Sequence, residues 1–178
     1  MKKNFFILVL GLVFAMLACT KKEIEVLNSS QKVSVESLDN YVVFGYVGLG
    51  WGCRSSVIYM VSNNKIYADT SKTFCNDQEN YTFTGYQLPE SEYNKVKDIV
   101  SAFPAELAKE ESKTFGCPGC ADGGMLYLQY KKKGVSLKTW RIDDAVFYRD
   151  SDVLNNPFPT YLAKYGQSLG KVITSLKY

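Results

Sequence analysis

Apolar positions along this 178-residue chain change period several times, and each change marks an element. An almost unbroken apolar run, Phe5 to Leu17, follows Met1-Lys2-Lys3. From Thr20 to Asn40 the chain is polar, mixed in charge and free of aromatic side chains, which is the composition of a flexible tether. Beyond it, Tyr41 to Leu49 and Arg54 to Val61 are rich in β-branched and aromatic residues and read as strands. Asn63-Asn64 tolerates the left-handed backbone of a tight hairpin turn, so Lys65 to Thr70 returns as the next strand, with Ser62 opposite Lys65. A Tyr/Thr-rich connection, Tyr81 to Gln87, leads into LPESEYNKVKDIVSAF. There Pro89 and Glu90 suit a first helical turn, and Tyr93, Val96, Ile99, Val100 and Phe103 recur at helical spacing until Pro104 stops the pattern.

The second half repeats the plan. Met125 to Lys131 and Val135 to Ile142 alternate as a hairpin about Lys132-Lys133-Gly134, a basic run read as a solvated turn. After a stretch rich in Asp, Asn and Pro (Asp143 to Pro159), Leu162, Tyr165, Leu169, Val172, Ile173 and Leu176 form an amphipathic helical stripe. The expectation is an α+β domain: an antiparallel sheet from two strand–strand–helix repeats, both helices packed on one face and the other face partly solvated. Residues 1–18 read as a signal, 19–40 as tether and 41–178 as one domain, in halves meeting near residue 110. On the last strand Trp140 shares a side with Lys138, which makes it either core edge or binding surface.

Lys2-Lys3, the short apolar run and Met16-Leu17-Ala18-Cys19 change the picture. The apolar run is too short to span a bilayer comfortably and has the form of a secretory signal. Ala18-Cys19 resembles the lipobox of bacterial lipoproteins. That resemblance implies removal of residues 1–18, diacylation of Cys19 with palmitate-type chains, and anchorage in the cell envelope, at the outer membrane, with the periplasmic or surface face open. Lys21-Lys22-Glu23 resembles the charged export signal of surface lipoproteins in Bacteroidetes-type bacteria. Two of the +3 formal charges are Lys2 and Lys3. The mature chain is therefore near neutral, which argues against nucleic acid as a partner.

Four cysteines follow Cys19: Cys53, Cys75, Cys117 and Cys120. An even count in an exported chain favours disulfides. The hairpin about Asn63-Asn64 brings Cys53 and Cys75 to its open end, which pairs them and leaves Cys117 with Cys120. Two rivals are weaker. A redox dithiol is expected ahead of a helix that stabilises the thiolate, whereas Cys117-Pro118-Gly119-Cys120 precedes the strand-like MLYLQYK. A four-cysteine zinc site wants a second tight pair, and Cys53 and Cys75 are far apart. The stretch FGCPGCADGG resembles uncharacterised secreted lipoproteins of Bacteroidetes-type bacteria, and the tandem plan is loosely similar to β-lactamase-inhibitor-like exported domains. Neither resemblance supplies a catalytic residue.

The chain has no histidine, which removes Ser-His-Asp triads, Cys-His dyads and most catalytic zinc sites. Gly45 to Gly52 has spaced glycines but leads into a strand, so it is no nucleotide fingerprint. Asp143-Asp144, Asp150, Asp152 and Glu110-Glu111 read as loop acids, with carboxylate-pair hydrolysis a weaker alternative. No cofactor and no metal is expected. Thirteen tyrosines stand out; Trp51, Tyr59, Tyr67, Tyr127, Tyr130 and Trp140 are core on one reading and a platform for protein or glycan on the other. The leading functional expectation is a non-enzymatic, lipid-anchored binding module of the envelope, including the case of an inhibitor of an exported enzyme. The alternatives are an accessory structural lipoprotein and a thiol- or carboxylate-dependent enzyme.

Overall fold

A computed structural model describes residues 32–48, 55–69, 74, 81–120, 123–148 and 156–176, all within the compact unit Gln31–Tyr178. The elements are β1 (Lys32–Ser34), β2 (Tyr41–Gly48), β3 (Val57–Ser62), β4 (Lys65–Ala68), β5 (Thr84–Gln87), α1 (Glu90–Ser101), a short α2 (Ala105–Lys109), β6 (Lys113–Phe115), β7 (Gly124–Lys131), β8 (Lys138–Asp143) and α3 (Thr160–Ser175). Single 3-10 turns sit at Val35–Ser37 and Asp144–Phe147. Each helix follows directly on a proline (Pro89, Pro104, Pro159), whose fixed φ sets the first turn.

The Asn63-Asn64 turn forms as its sequence predicts. Both residues take positive φ, 51° and 59°, and Ser62 pairs with Lys65 and Tyr59 with Ala68. The eight strands lie in the order β1-β5-β4-β3-β2-β7-β8-β6. All neighbours are antiparallel except β6 and β8, which are parallel. The sheet is therefore mixed and largely antiparallel, where a purely antiparallel one was expected. The reason is local: α2 returns the chain to the β8 edge in the direction β8 itself runs.

Alternation along the strands feeds two cores. On one face Val42, Phe44, Tyr59, Val61, Leu126, Leu128, Trp140 and Ile142 meet Val96 of α1, Leu107 of α2 and Leu162, Leu169 and Ile173 of α3. All three helices thus share one side of the sheet. The opposite face carries Val43, Val47, Ile58, Met60, Tyr67, Met125 and Tyr127, covered by Val35, Phe74, Tyr81 and Phe83. Phe74, Tyr81 and Tyr127 stack there with ring centroids 4.3, 4.6 and 5.7 Å apart. That second core corrects two expectations. The face is covered rather than partly solvated, because chain between β4 and β5 brings aromatic side chains across it. The folded domain also begins before Tyr41: β1 pairs with β5, and Val35 is buried, within the segment read as tether.

One end of the sheet holds both hairpin turns, Asn63-Asn64 and the β7–β8 connection at 132–137. The other end holds Gly48, Val57, Gly124 and Asp143, and Cys117 lies there against Asp143.

Candidate functional site

Asp143 ends β8, and its carboxylate works in two directions. Oδ1 accepts the Ala145 N–H at 2.9 Å and starts the 3-10 turn, while Oδ2 accepts the Cys117 N–H at 3.0 Å. Asp144 Oδ2 accepts the Gly124 N–H at 2.7 Å. The two adjacent acids, read from sequence as solvated loop residues, are the clamps that hold the Cys117–Gly124 loop against the end of β8. Within the loop Cys120 N–H donates to the Cys117 carbonyl at 3.0 Å and Gly123 N–H to that of Cys120 at 3.1 Å. Cys117 and Cys120 stand at disulfide distance, with Cα atoms 5.5 Å apart.

Gly124 is glycine for a reason of space. A Cβ there would fall 2.4–2.5 Å from the Tyr46 ring, which lies across it. Tyr46 in turn contacts Phe147 at 6.3 Å between centroids, and Phe147 contacts Tyr148 at 6.1 Å. The 3-10 turn that carries these rings seats on α3 through two glycines one turn apart. A Cβ on Gly166 would meet Val146 at 2.5 Å, and one on Gly170 would meet Phe147 at 2.8 Å. Close approach of turn to helix needs both positions bare.

The result is a groove of about 850 Å³ lined, among the described residues, by Tyr46, Val57, Phe147, Tyr148, Gln167, Gly170, Lys171, Ile173 and Thr174. Its size and its mix of apolar wall with a few polar groups are those of small-molecule sites. Tyr148 is 78% exposed and stands at its rim. Burial, and then the neighbouring Asp144 carboxylate, hold the Tyr46 phenol above the ordinary tyrosine range, so it stays a neutral hydrogen-bonding group.

The aromatic side chains singled out from sequence lie elsewhere. Tyr59 and Trp140 are buried in the helix-side core, and Tyr67 and Tyr127 in the opposite one. Tyr130 is half-buried and stacks on Phe103 at 4.6 Å. These five form no common exposed platform; they serve as core because alternation on a sheet covered on both faces buries both sets. Trp51, with Cys19, Cys53, Cys75, Asp150 and Asp152, lies outside the described residues. Trp140 Nε1 donates to the Glu111 carbonyl at 3.0 Å, and Lys138 Nζ to the carbonyls of Ala108 and Glu110 at 3.0 and 2.8 Å. The tryptophan and lysine that share one side of β8 are thus ties to the end of α2. Glu110, whose carboxyl is held below the usual range by hydrogen bonds from Lys113 and then Tyr161, belongs to the same structural edge. Burial first, and Glu110 second, push the Tyr161 phenol up to about 12.

Sequence reading missed Tyr46, Phe147, Tyr148, Gln167, Lys171 and Thr174. One signal was present: Gly166 and Gly170 lie four apart on an otherwise regular helix, which marks a face against which something packs closely. Among the described residues no three His, Cys, Asp or Glu side chains converge to hold a metal, and no helix is long and apolar enough to cross a membrane. Fold and site together define a small α+β domain with a clamped, disulfide-distance loop beside an aromatic groove. Comparison of the chain with protein-family models, curated proteins and solved structures returns no match.

The Cys117→Ser, Cys120→Ser double variant is expected to remain folded, since four hydrogen bonds from backbone amides, two to backbone carbonyls and two to the Asp143 and Asp144 carboxylates, remain without the sulfurs. Loop entropy gives at most about 2 kcal/mol for so small a ring, a fall in melting temperature of no more than about 8 °C. Hydrogen exchange at the Gly124 amide should quicken. A larger loss in a thermal melt would show that the sulfurs, and not Asp143 and Asp144, hold the loop.

Proposed function

We propose that this chain is a lipid-anchored binding module of the cell envelope, fixed to the membrane through Cys19, with a protein or glycan ligand held in the groove between the 3-10 turn and α3. One observation carries the reading: an open groove of about 850 Å³ whose Tyr46 lies across Gly124, an amide held by Asp144, and whose Phe147 sits on the turn capped by Asp143. Prior ordering of contact groups is what makes aromatic side chains effective binders, since less freedom is lost on association. Gln167, Lys171 and Thr174 add hydrogen-bonding groups at the groove wall. The adjacent acids at the site are engaged with backbone amides, which favours recognition over carboxylate chemistry.

The finer plan belongs to the same proposal. β2–β3–α1 and β7–β8–α3 form two strand–strand–helix halves joined along β2 and β7, extended at the edges by β1, β4, β5 and β6. A Cys53–Cys75 disulfide belongs to the same reading, supported by the Ser56 hydroxyl, which donates to the Phe74 carbonyl at 3.2 Å.

Thr174 is exposed on α3 and lines the groove, so Thr174→Trp fills it without disturbing a core. Calorimetric titration of the full chain with envelope polysaccharide and envelope protein fractions should reveal one class that binds. Thr174→Trp and Tyr148→Ala should each weaken that binding at least about tenfold, the loss of roughly one aromatic anchor, with melting temperature unchanged. Undiminished binding by Thr174→Trp, or no binding by either fraction, removes the groove as the ligand site.

A further inference from the structure

The end of the sheet opposite the groove carries the other unusual surface. The β7–β8 connection presents Lys132 and Lys133 next to Lys131, and Lys65, at the start of β4 three strands away, lies at the same end of the sheet. Asp39 bridges Lys133 at 3.6 Å, and Glu90 at the start of α1 and Glu110 and Glu111, tied to Lys138 and Trp140 of β8, are further acids toward this end. Among the described residues three large apolar side chains stand exposed. Tyr148 is at the groove; the other two, Val135 at 37% and Leu137 at 43%, are on this same lysine-bearing connection. The connection is held in one shape: Val135 N–H donates to the Lys132 carbonyl at 2.9 Å, Lys131 Nζ to the Val135 carbonyl at 2.7 Å, and Lys133 N–H to Asn40 Oδ1 at 3.0 Å. Lysines and exposed apolar side chains therefore share one ordered connection.

The path of the chain says what faces that end. β1 pairs antiparallel with β5, Lys32 with Tyr86 and Ser34 with Thr84, and β5 runs toward the hairpin turns. β1 thus runs away from them, and Lys32, its first residue, lies at the lysine-bearing end of the sheet. Residues 20–31 separate Lys32 from Cys19, a link spanning at most about 45 Å fully extended.

From these placements we infer that the β7–β8 connection, with Lys65, is a membrane-contact surface: it seats on the anionic lipid headgroups of the bilayer that holds the anchor, and directs the groove away from it. Lysine ammoniums meet the headgroups while their stems and the Val135 and Leu137 side chains enter the interface. Each lysine near an anionic surface contributes about fivefold to the local equilibrium, and the short link keeps the surface within reach. The inference rests on the lipid anchor proposed above.

The test uses the full lipidated chain reconstituted into phosphatidylcholine vesicles with and without phosphatidylglycerol, acetylated with an amine reagent and mapped by mass spectrometry. Lys65, Lys131, Lys132 and Lys133 should be protected at least about fivefold by the anionic lipid, with the protection lost at high salt. Lys171, at the groove, should label equally in both. Protection should disappear in the Lys131→Glu, Lys132→Glu, Lys133→Glu variant, whose substitutions lie on the surface. Equal labelling of the four lysines in both vesicles, with Cys19 found diacylated, overturns the orientation while leaving the anchor standing. Protection of Lys171 instead would mean that the groove faces the membrane. An unmodified Cys19 in the same maps removes the anchor and the orientation with it.

Discussion

Leu169→Asp abolishes the native fold at room temperature, or leaves it so weak that mild urea melts it. Leu169 is fully buried on α3, packed in the core that joins the three helices to the sheet. A carboxylate there either stays ionised in an apolar site or takes up a proton at a cost set by its shifted pKa, and either route takes several kcal/mol. Against a total stability of about 5–15 kcal/mol for a domain of this kind, that is most of the margin. Val96→Asp on α1 should behave alike, because Val96 reaches the same core. Lys164→Asp, on an exposed turn of the same α3, should change stability by less than about 0.5 kcal/mol. Urea melts followed by circular dichroism compare the three. A Leu169→Asp midpoint matching that of Lys164→Asp would mean that the apolar stripe of α3 does not face a core.

Raising the pH above 10 should strip stability from this protein unusually steeply. Burial pushes the phenols of Tyr81, Tyr127 and Tyr165 well above the ordinary tyrosine range; for Tyr81 a hydrogen bond to Asp69 adds to it. Each native pKa is raised, so above pH 10 the unfolded chain loses protons that the native chain keeps. Stability therefore carries the full contribution of these groups below pH 10 and falls as the pH rises toward the higher native values. Each such tyrosine gives a slope of about 1.4 kcal/mol per pH unit, so three give about 4. Urea midpoints at pH 8, 9, 10 and 11 measure it, and phenolate absorbance should show these three ionising only as the chain unfolds. Tyr165→Phe sharpens the test. The Tyr165 hydroxyl is buried without a hydrogen-bond partner, so its removal should raise stability at neutral pH by about 1 kcal/mol and lower the alkaline slope by a third. A flat profile to pH 11 would show that these phenols reach solvent.

Much of the fold was legible where one local cause decides conformation. Asn63-Asn64 admits positive φ, and the predicted pairing of Ser62 with Lys65 followed from it. Pro89 starts a helix and Pro104 ends its pattern, and the stripes at Val96 and at Leu169 face a core as their spacing implies; the short helix that Pro104 itself begins was not foreseen. β1 and β5 were not legible. Each is short and defined by its partners, β1 by β5 and β5 by both β1 and β4; neither has an apolar pattern long enough to identify a strand by itself.

The candidate site divides the same way. Composition alone removes histidine-dependent chemistry, and an even cysteine count points to the Cys117–Cys120 pair, whose sulfurs stand at disulfide distance in a loop held by distant acids. Which aromatic side chains face a ligand was beyond the sequence, because burial on a strand depends on what covers each face. Chain between β4 and β5 covers the second face, and so Tyr67 and Tyr127, outward on a one-sided sheet, became core. Tyr46 and Phe147 meet only because β2, β7 and the turn after β8 end at one place, where Gly124 and Gly170 leave room for them. Asp143 and Asp144 acquire their partners in the same way, from a loop some twenty residues upstream whose amides reach them only in the folded sheet. The sequence by itself determined the local elements and the available chemistry, since backbone preference and residue type act over a few residues. Tertiary structure decided which side chains are buried, clamped or left at a surface, since those depend on contacts between distant parts of the chain.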